Sequence, residues 1–368
     1  MNKISAYLLS GIFIILLFLP MCVQISGVKQ KNETFFENRT ISTMPHFDYS
    51  KFLDAYNECV RFINDFNSYY SDNFGLRNIF YGVYREIKVN IYHTDPFPQK
   101  VVKGKEDWYF LGDYYSNDIR VSKGINNFSK GELDWTSNNM IEFKNFLDKE
   151  KIPLYMIIVP NKLTIYGDYL PITKSDKPTK MEQLTKCLLR NGINLIDIKQ
   201  ALMNHRDHVL YLKADSHWNE YGAFYGYEAL MRKIQSDFQN LKILRMEDFN
   251  ITSSASNHQD LTRTLSSNIY DIIINFQPNF KSQAFPVNKH GIKGNAYSQR
   301  PDDYELRFQN KSQPLKVVIF RDSFFTSMIP WLNESFGETV FIWDFPDKNQ
   351  VLTEKPDFVI FEIVERNL

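Results

Sequence analysis

Cysteine is scarce in this chain, and the three present, Cys22, Cys59 and Cys187, cannot build a disulfide framework. No C-x-x-C pair occurs, which excludes a cysteine zinc site and argues against a redox dithiol. A surplus of charge is also missing, because 43 Lys and Arg residues balance 43 Asp and Glu residues. The chain as a whole therefore has no field that would attract nucleic acid or an anionic surface. Its 368 residues, 43% of them hydrophobic, suffice for one large domain or two moderate ones.

The N-terminus carries a long apolar run. After Lys3 the chain reads "AYLLSGIFIILLFLPMCVQISGV", long enough to cross a hydrocarbon core of about 30 Å. The run is longer than a usual signal peptide core, and "PMCVQISG" is a poor cleavage site, which favours an uncleaved signal-anchor over a cleaved signal. "LPMC" is a weak match for a lipoprotein processing site. In each case the residues beyond about 28 are expected outside the cytoplasm. We predict an anchor over 1–28, a linker and helical arm over 29–100 and the main domain over 101–368.

In the main domain, helical and strand-like segments alternate. An amphipathic helix over 131–150 leads into "IPLYMIIVPNK", a β-branched apolar run typical of a buried parallel strand. The alternation predicts an α/β fold, a doubly wound parallel sheet flanked by helices. A polar stretch over 236–312 is predicted to be irregular. Further helices are expected near 179–190, 219–235 and from about 324, and further strands at "INLIDI", "HVLYLK", "LKVVIF", "TVFIWDF" and "DFVIFEIV".

Ligands of such sheets bind beyond the carboxyl ends of the strands, so polar residues at those ends are site candidates. Asp215 and His217 follow "HVLYLK", and residues two apart in an extended segment point the same way. The carboxylate can therefore hold one imidazole nitrogen while the other faces outward. Ser323 follows a second apolar run at the start of a predicted helix, whose N–H groups favour negative charge. A serine becomes a nucleophile when an imidazole takes its proton, and a carboxylate fixes the imidazole tautomer.

Other interpretations of these residues stay open. Asp322 and Ser323 could merely cap a helix. His205, His208, Asp215 and His217 could form a zinc cluster, but the first two sit in a polar turn away from the second pair, and we predict no metal. Neither does the sequence indicate a cofactor. Three further candidates for substrate contact or an oxyanion donor are Asn161 and Lys162, at the end of a predicted strand, and Trp218, which would anchor the turn after His217.

Several motifs resemble a known family. They include "NDFNSYYSDNFGLRN", "VVKGKEDWYFLG", "VPNKLTIYGDYLP", "ADSHWNEYGA", "DLTRTL", "FRDSFF" and "PDFVIFEIVERNL". In their order and spacing the chain resembles SGNH-hydrolase-like proteins of the alginate O-acetyltransferase type, also called the DHHW family. The resemblance implies acyl transfer, with Ser323 as nucleophile, His217 as base and Asp215 as its orienter. It also implies a polysaccharide acceptor and a membrane-bound O-acyltransferase (MBOAT) partner that supplies acetyl groups.

One position departs from the family pattern. The serine motif commonly begins with Gly, where this chain has Arg321. Arginine implies ordinary backbone angles and adds a cation, which could bind an anionic sugar or point away along the strand.

The expected function is therefore a membrane-anchored, extracytoplasmic O-acetyltransferase. The same residues would serve an acetylesterase. A non-catalytic polysaccharide-binding or assembly protein on the same fold is the alternative of another class, since aromatic residues such as Tyr221, Phe224, Tyr225, Trp331 and Trp343 could stack on sugars.

Overall fold

The computed structural model describes residues 3–26, 42–47, 54–92, 94, 96–257, 259–265, 269–294 and 301–368. Contacts divide the described chain into two compact units, one within Met1–Pro96 and Arg263–Ser267, the other within Phe97–Thr262 and Asn268–Leu368. The domain boundaries predicted after residues 28 and 100 stay predictions. Most of the predicted polar linker, which begins at residue 29, lies outside the described residues.

The first unit is helical. It contains α1 (Lys3–Ile25), α2 (Ala55–Asn73) and α3 (Arg77–Glu86), which continues as a π-helical turn over Ile87–Ile91. Within α1, Ile4–Gln24 is the one segment of the described chain that is long and apolar enough to cross a membrane. A short turn that contains Gly75 separates α2 from α3.

The second unit is built on a seven-stranded sheet. The order of its strands is β4-β3-β11-β9-β10-β8-β7. The first five are parallel, β8 pairs antiparallel with β10, and the edge strand β7 pairs antiparallel with β8. The predicted parallel sheet flanked by helices is therefore confirmed, with an antiparallel edge. The strands are β1 (Val101–Lys103), β2 (Tyr109–Leu111), β3 (Leu154–Val159), β4 (Asn194–Ile196), β5 (Phe249–Ser256), β6 (Asp271–Pro278), β7 (Phe285–Pro286), β8 (Glu305–Gln309), β9 (Lys316–Phe320), β10 (Glu338–Ile342) and β11 (Phe358–Val364).

Helices cover both faces of the sheet. Because side chains alternate along a strand, Tyr155 and Ile157 of β3 face one hydrophobic core, while Met156 and Ile158 face a second. The central strands are buried throughout, as their apolar sequences require. The helices that begin in this unit are α4 (Asp113–Ser116), α5 (Asp118–Ser122), α6 (Lys130–Lys149), α7 (Lys162–Ile165), α8 (Lys180–Arg190), α9 (Ile198–Met203), α10 (Glu220–Asp237), α11 (Asp260–Thr264), α12 (Ile329–Ser335) and α13 (Lys348–Glu354).

Two predictions of secondary structure were wrong. The stretch 236–312 is not irregular throughout, because β5 and β6 pair over eight residues each as an antiparallel ribbon and β8 joins the main sheet. β5 is polar and largely exposed, so it lacks the hydrophobic pattern by which strands are predicted. β6 does carry an apolar run, Ile272–Ile274, which the prediction missed. The segment "HVLYLK" is also not a strand. Within the described chain it forms a single isolated bridge, between Tyr211 and Trp218, in a loop that folds back on itself.

Candidate active site

A hydrogen-bonded chain of three side chains lies beyond the carboxyl ends of β9 and β11. The Ser323 Oγ is 2.9 Å from His217 Nε2, and His217 Nδ1 is 2.7 Å from Asp215 Oδ1. His217 and Asp215 are partly buried, with side chains 29% and 14% exposed, so the serine and imidazole are reachable from solvent. The structure thus brings together the three residues predicted as nucleophile, base and orienter. This is the arrangement by which serine is activated for attack on a carbonyl.

The serine stands on a tight turn after β9. Ser323 has helical backbone angles and precedes a 3₁₀ turn over Phe324–Met328, which runs on into α12. Asp322 fixes this turn from two sides. Its Oδ1 accepts the Phe324 N–H at 2.9 Å, and its Oδ2 accepts the Val364 N–H at 2.9 Å. The N–H of Phe324 is therefore already used by Asp322, which removes it from the set of oxyanion donors predicted at this helix start.

A buried acid lies under the turn. Glu362 of β11 accepts the Asp322 N–H at 2.8 Å through Oε2. Burial, together with the charge of Asp322, raises the pKa of Glu362 well above its usual value. The neutral form of Glu362 is therefore favoured beneath the nucleophile turn.

Asp215 is held in its ionised form. Burial opposes that charge, but hydrogen bonds from the His217 ring, the charge of the imidazolium and the N–H groups of Asp260 and His217 outweigh it. The Asp260 N–H donates to Oδ2 at 2.9 Å, and the His217 N–H donates to Oδ1 at 2.9 Å. Together these contacts keep the pKa of Asp215 well below its ordinary value. A carboxylate in this state can fix the Nδ1 proton of His217 and leave Nε2 as the base.

The loop that carries Asp215 and His217 is held by a buried lysine. Lys162, at the start of α7, donates from Nζ to the carbonyl oxygens of Leu212 at 3.0 Å, Lys213 at 3.1 Å and Asp215 at 2.7 Å. These three acceptors match the three protons of an ammonium group. Burial lowers the pKa of Lys162 to about 8, against the attraction of Asp260 and Asp215.

Two acids hold the N–H groups of the same loop. Asp271 of β6 accepts the Ala214 N–H at 2.7 Å. Asp260 of α11 accepts the Ser216 N–H at 2.7 Å and the Ser216 hydroxyl at 2.5 Å. Side chains from three other segments thus pair backbone polar groups of this loop, and the Tyr109 N–H of β2 donates to its Lys213 carbonyl at 2.9 Å.

The four remaining predicted site residues are buried. Arg321, Asn161, Lys162 and Trp218 are 3%, 1%, 3% and 2% exposed, and each makes contacts inside the protein. That they contact substrate or an oxyanion stays a prediction. Trp218 donates from Nε1 to the Phe324 carbonyl at 2.8 Å, which ties the loop of His217 to the turn of Ser323.

Arg321 and Asn161 likewise make internal contacts. Arg321 donates to the carbonyl oxygens of Asp322 at 3.2 Å and Asp303 at 3.1 Å, and its guanidinium lies 4.3 Å from the ring centre of Trp343. It also donates to the Thr326 hydroxyl at 3.1 Å, in the turn that follows Ser323. Asn161 donates from Nδ2 to the Ser122 hydroxyl at 3.1 Å.

The zinc cluster considered from the sequence is not formed by the four residues named for it. His208 Nδ1 lies 2.9 Å from the Tyr225 hydroxyl, and the His205 ring packs 3.8 Å from the Tyr225 ring. Asp260 does lie close to Asp215 and His217, but the carboxylate oxygens of both acids accept N–H and O–H donors. That is the pattern of a hydrogen-bonded acid–base group.

Asp260, Asp271 and Glu362 were missed as site residues. Asp260 begins "DLTRTL", one of the motifs that carry the family resemblance, so its importance was signalled without a role. Glu362 lies in another such motif. Nothing in the sequence singles out Asp271.

The fold and this geometry define a class, an α/β protein of SGNH-hydrolase-like fold with a Ser–His–Asp arrangement. Residues 101–272 match a family model described as the SGNH hydrolase-like domain of the acetyltransferase AlgX. The predicted resemblance to the alginate O-acetyltransferase type is confirmed, and the domain is similar to that acetyltransferase. The match contains Asp215 and His217 and ends before Ser323, so the position of the serine depends on the geometry.

Solved structures share the fold. Bacillus cereus PatB1 matches 73% of this chain and 96% of its own at 17% identity, with a TM-score of 0.53. A structure of PatB1 with a sulfonyl adduct matches at 17% identity over 73% of this chain and 95% of its own, with a TM-score of 0.55. A DHHW family protein from Eubacterium siraeum matches over 70% and 87% at 15% identity, with a TM-score of 0.50. No curated protein sequence matches the chain.

Proposed function

We propose that the chain is a membrane-anchored, extracytoplasmic O-acetyltransferase that moves acetyl groups onto hydroxyls of a cell-surface or secreted polysaccharide. The observation that carries the proposal is the hydrogen-bonded sequence from Ser323 through His217 to Asp215. The similarity to the acetyltransferase AlgX supports acetyl as the transferred group. The apolar segment Ile4–Gln24 supports an anchor, and with it an MBOAT partner that delivers acetyl groups across the membrane.

The proposed reaction is a double displacement. His217 Nε2 takes the proton of the Ser323 hydroxyl while Oγ attacks the acetyl carbonyl of the donor. The leaving group then departs with that proton, and an acetyl ester remains on Ser323. The Asp215 carboxylate stabilises the imidazolium that forms between these events. The Ser323 N–H is the proposed oxyanion donor at this turn, since the Phe324 N–H is bonded to Asp322.

The second half returns the enzyme to its starting state. A sugar hydroxyl gives its proton to His217 and attacks the acyl carbon, and Ser323 leaves with the proton from the imidazolium. Water as acceptor would release acetate by the same steps. The choice between transfer and hydrolysis therefore lies in how well the acceptor is positioned and water excluded.

The test uses the full chain in detergent micelles. We expect acetyl release from 4-nitrophenyl acetate and transfer to an oligosaccharide acceptor, both lost in Ser323→Ala and both unaffected by EDTA. A sulfonyl fluoride should label Ser323 in a His217-dependent manner, which peptide mass spectrometry would locate. Serine-dependent release that yields acetate alone with every acceptor would favour the esterase. The absence of any Ser323-dependent turnover, together with no His217-dependent labelling of Ser323, would overturn the proposal in favour of a binding protein.

A further inference from the structure

The imidazole of His217 faces two carboxylates. Asp215 Oδ1 lies 2.7 Å from Nδ1 and accepts its proton, while Asp260 Oδ2 lies 3.8 Å from the same nitrogen. The second distance is too long for a hydrogen bond but well within the range of a strong charge interaction. Asp260 is 45 residues from Asp215 in sequence, and the fold brings the two together through α11.

The position of Asp260 is fixed by the loop it contacts. Its two oxygens accept the N–H and hydroxyl of Ser216, and its own N–H donates to Asp215 Oδ2. Asp260 therefore cannot move without disturbing the residue between Asp215 and His217. The carboxylate is in this way kept on the Nδ1 side of the ring, away from Ser323.

Other charged groups lie around the His217 ring and affect the protonation of Asp260. Arg366 donates to the Ser216 hydroxyl at 3.3 Å, and its guanidinium lies 5.0 Å from the ring centre of Phe324, which in turn packs 4.8 Å from the His217 ring. Burial and the charge of Asp215 raise the pKa of Asp260, whereas His217 and Arg366 act to lower it. Among the described residues, the charged groups around the imidazole are thus Asp215, Asp260 and Arg366, with Lys162 bonded to the Asp215 carbonyl and Ser323 on the opposite nitrogen.

We propose that Asp260 is a positioning residue of this site, a second carboxylate that stabilises the His217 imidazolium and fixes the Asp215 loop. The inference rests on the proposed function, because the imidazolium forms when Ser323 gives up its proton. A second negative charge 3.8 Å away makes that proton transfer more favourable. The alternative is that Asp260 only holds the loop in place by accepting the Ser216 N–H and hydroxyl. In that case its charge would not affect His217.

The deciding comparison is Asp260→Asn against Asp271→Asn in the full chain in micelles. Both acids accept a backbone N–H of the same loop, and an asparagine oxygen can still do so. Asp271 makes no ion pair with His217 in the described part of the chain, so its variant reports on loop support alone. Asp260→Glu retains the charge, so its behaviour shows whether an effect of Asp260→Asn comes from the lost charge or from a folding defect.

The readout is the titration of the His217 ring, followed by NMR of the full chain labelled at histidine Cε1 and assigned with His217→Gln. We expect the pKa of His217 to fall by about one unit in Asp260→Asn, to stay unchanged in Asp271→Asn and to recover in Asp260→Glu. The acid limb of kcat/KM should move to lower pH by the same amount, and kcat should fall about tenfold with KM unchanged.

An unchanged His217 titration in Asp260→Asn, or an equal shift in Asp271→Asn, would overturn the assignment. The NMR readout needs no turnover and therefore separates the two proposals. A titration shift in a chain whose activity survives Ser323→Ala would reject the proposed function while supporting the charge interaction between Asp260 and His217.

Discussion

Replacement of Asp215 by Asn removes the negative charge and one of the two acceptor oxygens that the site uses. In the structure the carboxylate accepts three N–H donors: the His217 N–H and ring Nδ1–H on Oδ1, and the Asp260 N–H on Oδ2. Asparagine has one acceptor oxygen and one NH₂ group. In either orientation of the amide, the NH₂ group must therefore face at least one N–H donor.

The two orientations have different consequences for the base. With its oxygen toward His217, the amide keeps two bonds and leaves the Asp260 N–H unpaired, at about 1–3 kcal/mol. With its NH₂ toward His217, it makes Nδ1 an acceptor and moves the ring proton to Nε2, where it faces Ser323. Each orientation keeps two hydrogen bonds and leaves one N–H unpaired, and both lose the negative charge beside the imidazole, so the loss of charge sets the smallest kinetic effect to expect.

The size of that effect follows from the short contact. Opposite charges about 4 Å apart interact by about 4 kcal/mol at an effective dielectric constant near 20, equivalent to about 10³-fold in rate. We expect Asp215→Asn to lower kcat by about this factor and to leave KM nearly unchanged.

The ionised Asp215 has a lowered pKa in the folded state, so its contribution to stability is present at neutral pH and is lost as the pH falls through that folded pKa.

The assay is steady-state release of 4-nitrophenol from 4-nitrophenyl acetate by the full chain, with the Ser323→Ala rate subtracted. Asp207→Asn is the matched control, because Asp207 is 75% exposed and lies 3.6 Å from His208, a histidine outside the hydrogen-bonded group. An Asp215→Asn enzyme as active as Asp207→Asn would refute the assignment of Asp215 as orienter of the base.

Further predictions concern pH and packing. Burial raises the pKa of Asp118 from 3.8 to about 7, so stability should fall as pH rises through that window, and Asp118→Asn should restore up to about 4 kcal/mol above pH 7. Chemical denaturation at a series of pH values checks this, and parallel curves for both proteins would contradict it. A Cβ at Gly222 would collide with the Leu210 carbonyl oxygen, whereas Gly131 has open space around it. Gly222→Ala should therefore destabilise the fold by more than about 2 kcal/mol and reduce activity, while Gly131→Ala should gain up to about 1 kcal/mol. Equal melting temperatures for these two variants would disprove the packing argument.

The sequence alone was sufficient for the features that depend on neighbouring residues. The apolar runs of β3, β9 and β11 predict buried parallel strands, because such strands need no polar face. The spacing of Asp215 and His217 predicts their contact, since a pair two residues apart needs little help from the rest of the fold. The place of Ser323 at a strand end was predictable because the apolar run of β9 ends three residues before it.

Only the tertiary structure decided what holds that pair in place. The loop of Asp215 is not a strand, and its polar groups are satisfied by Lys162, Asp260 and Asp271 from three distant segments. The residues that form single buried hydrogen bonds of this kind do not recur at a regular spacing, so no sequence pattern predicts them. The same holds for Arg321, whose orientation beneath Trp343 depends on packing against residues outside its own strand. Spacing along the chain could therefore predict the reacting groups, whereas their support depends on contacts that exist only once the chain has folded.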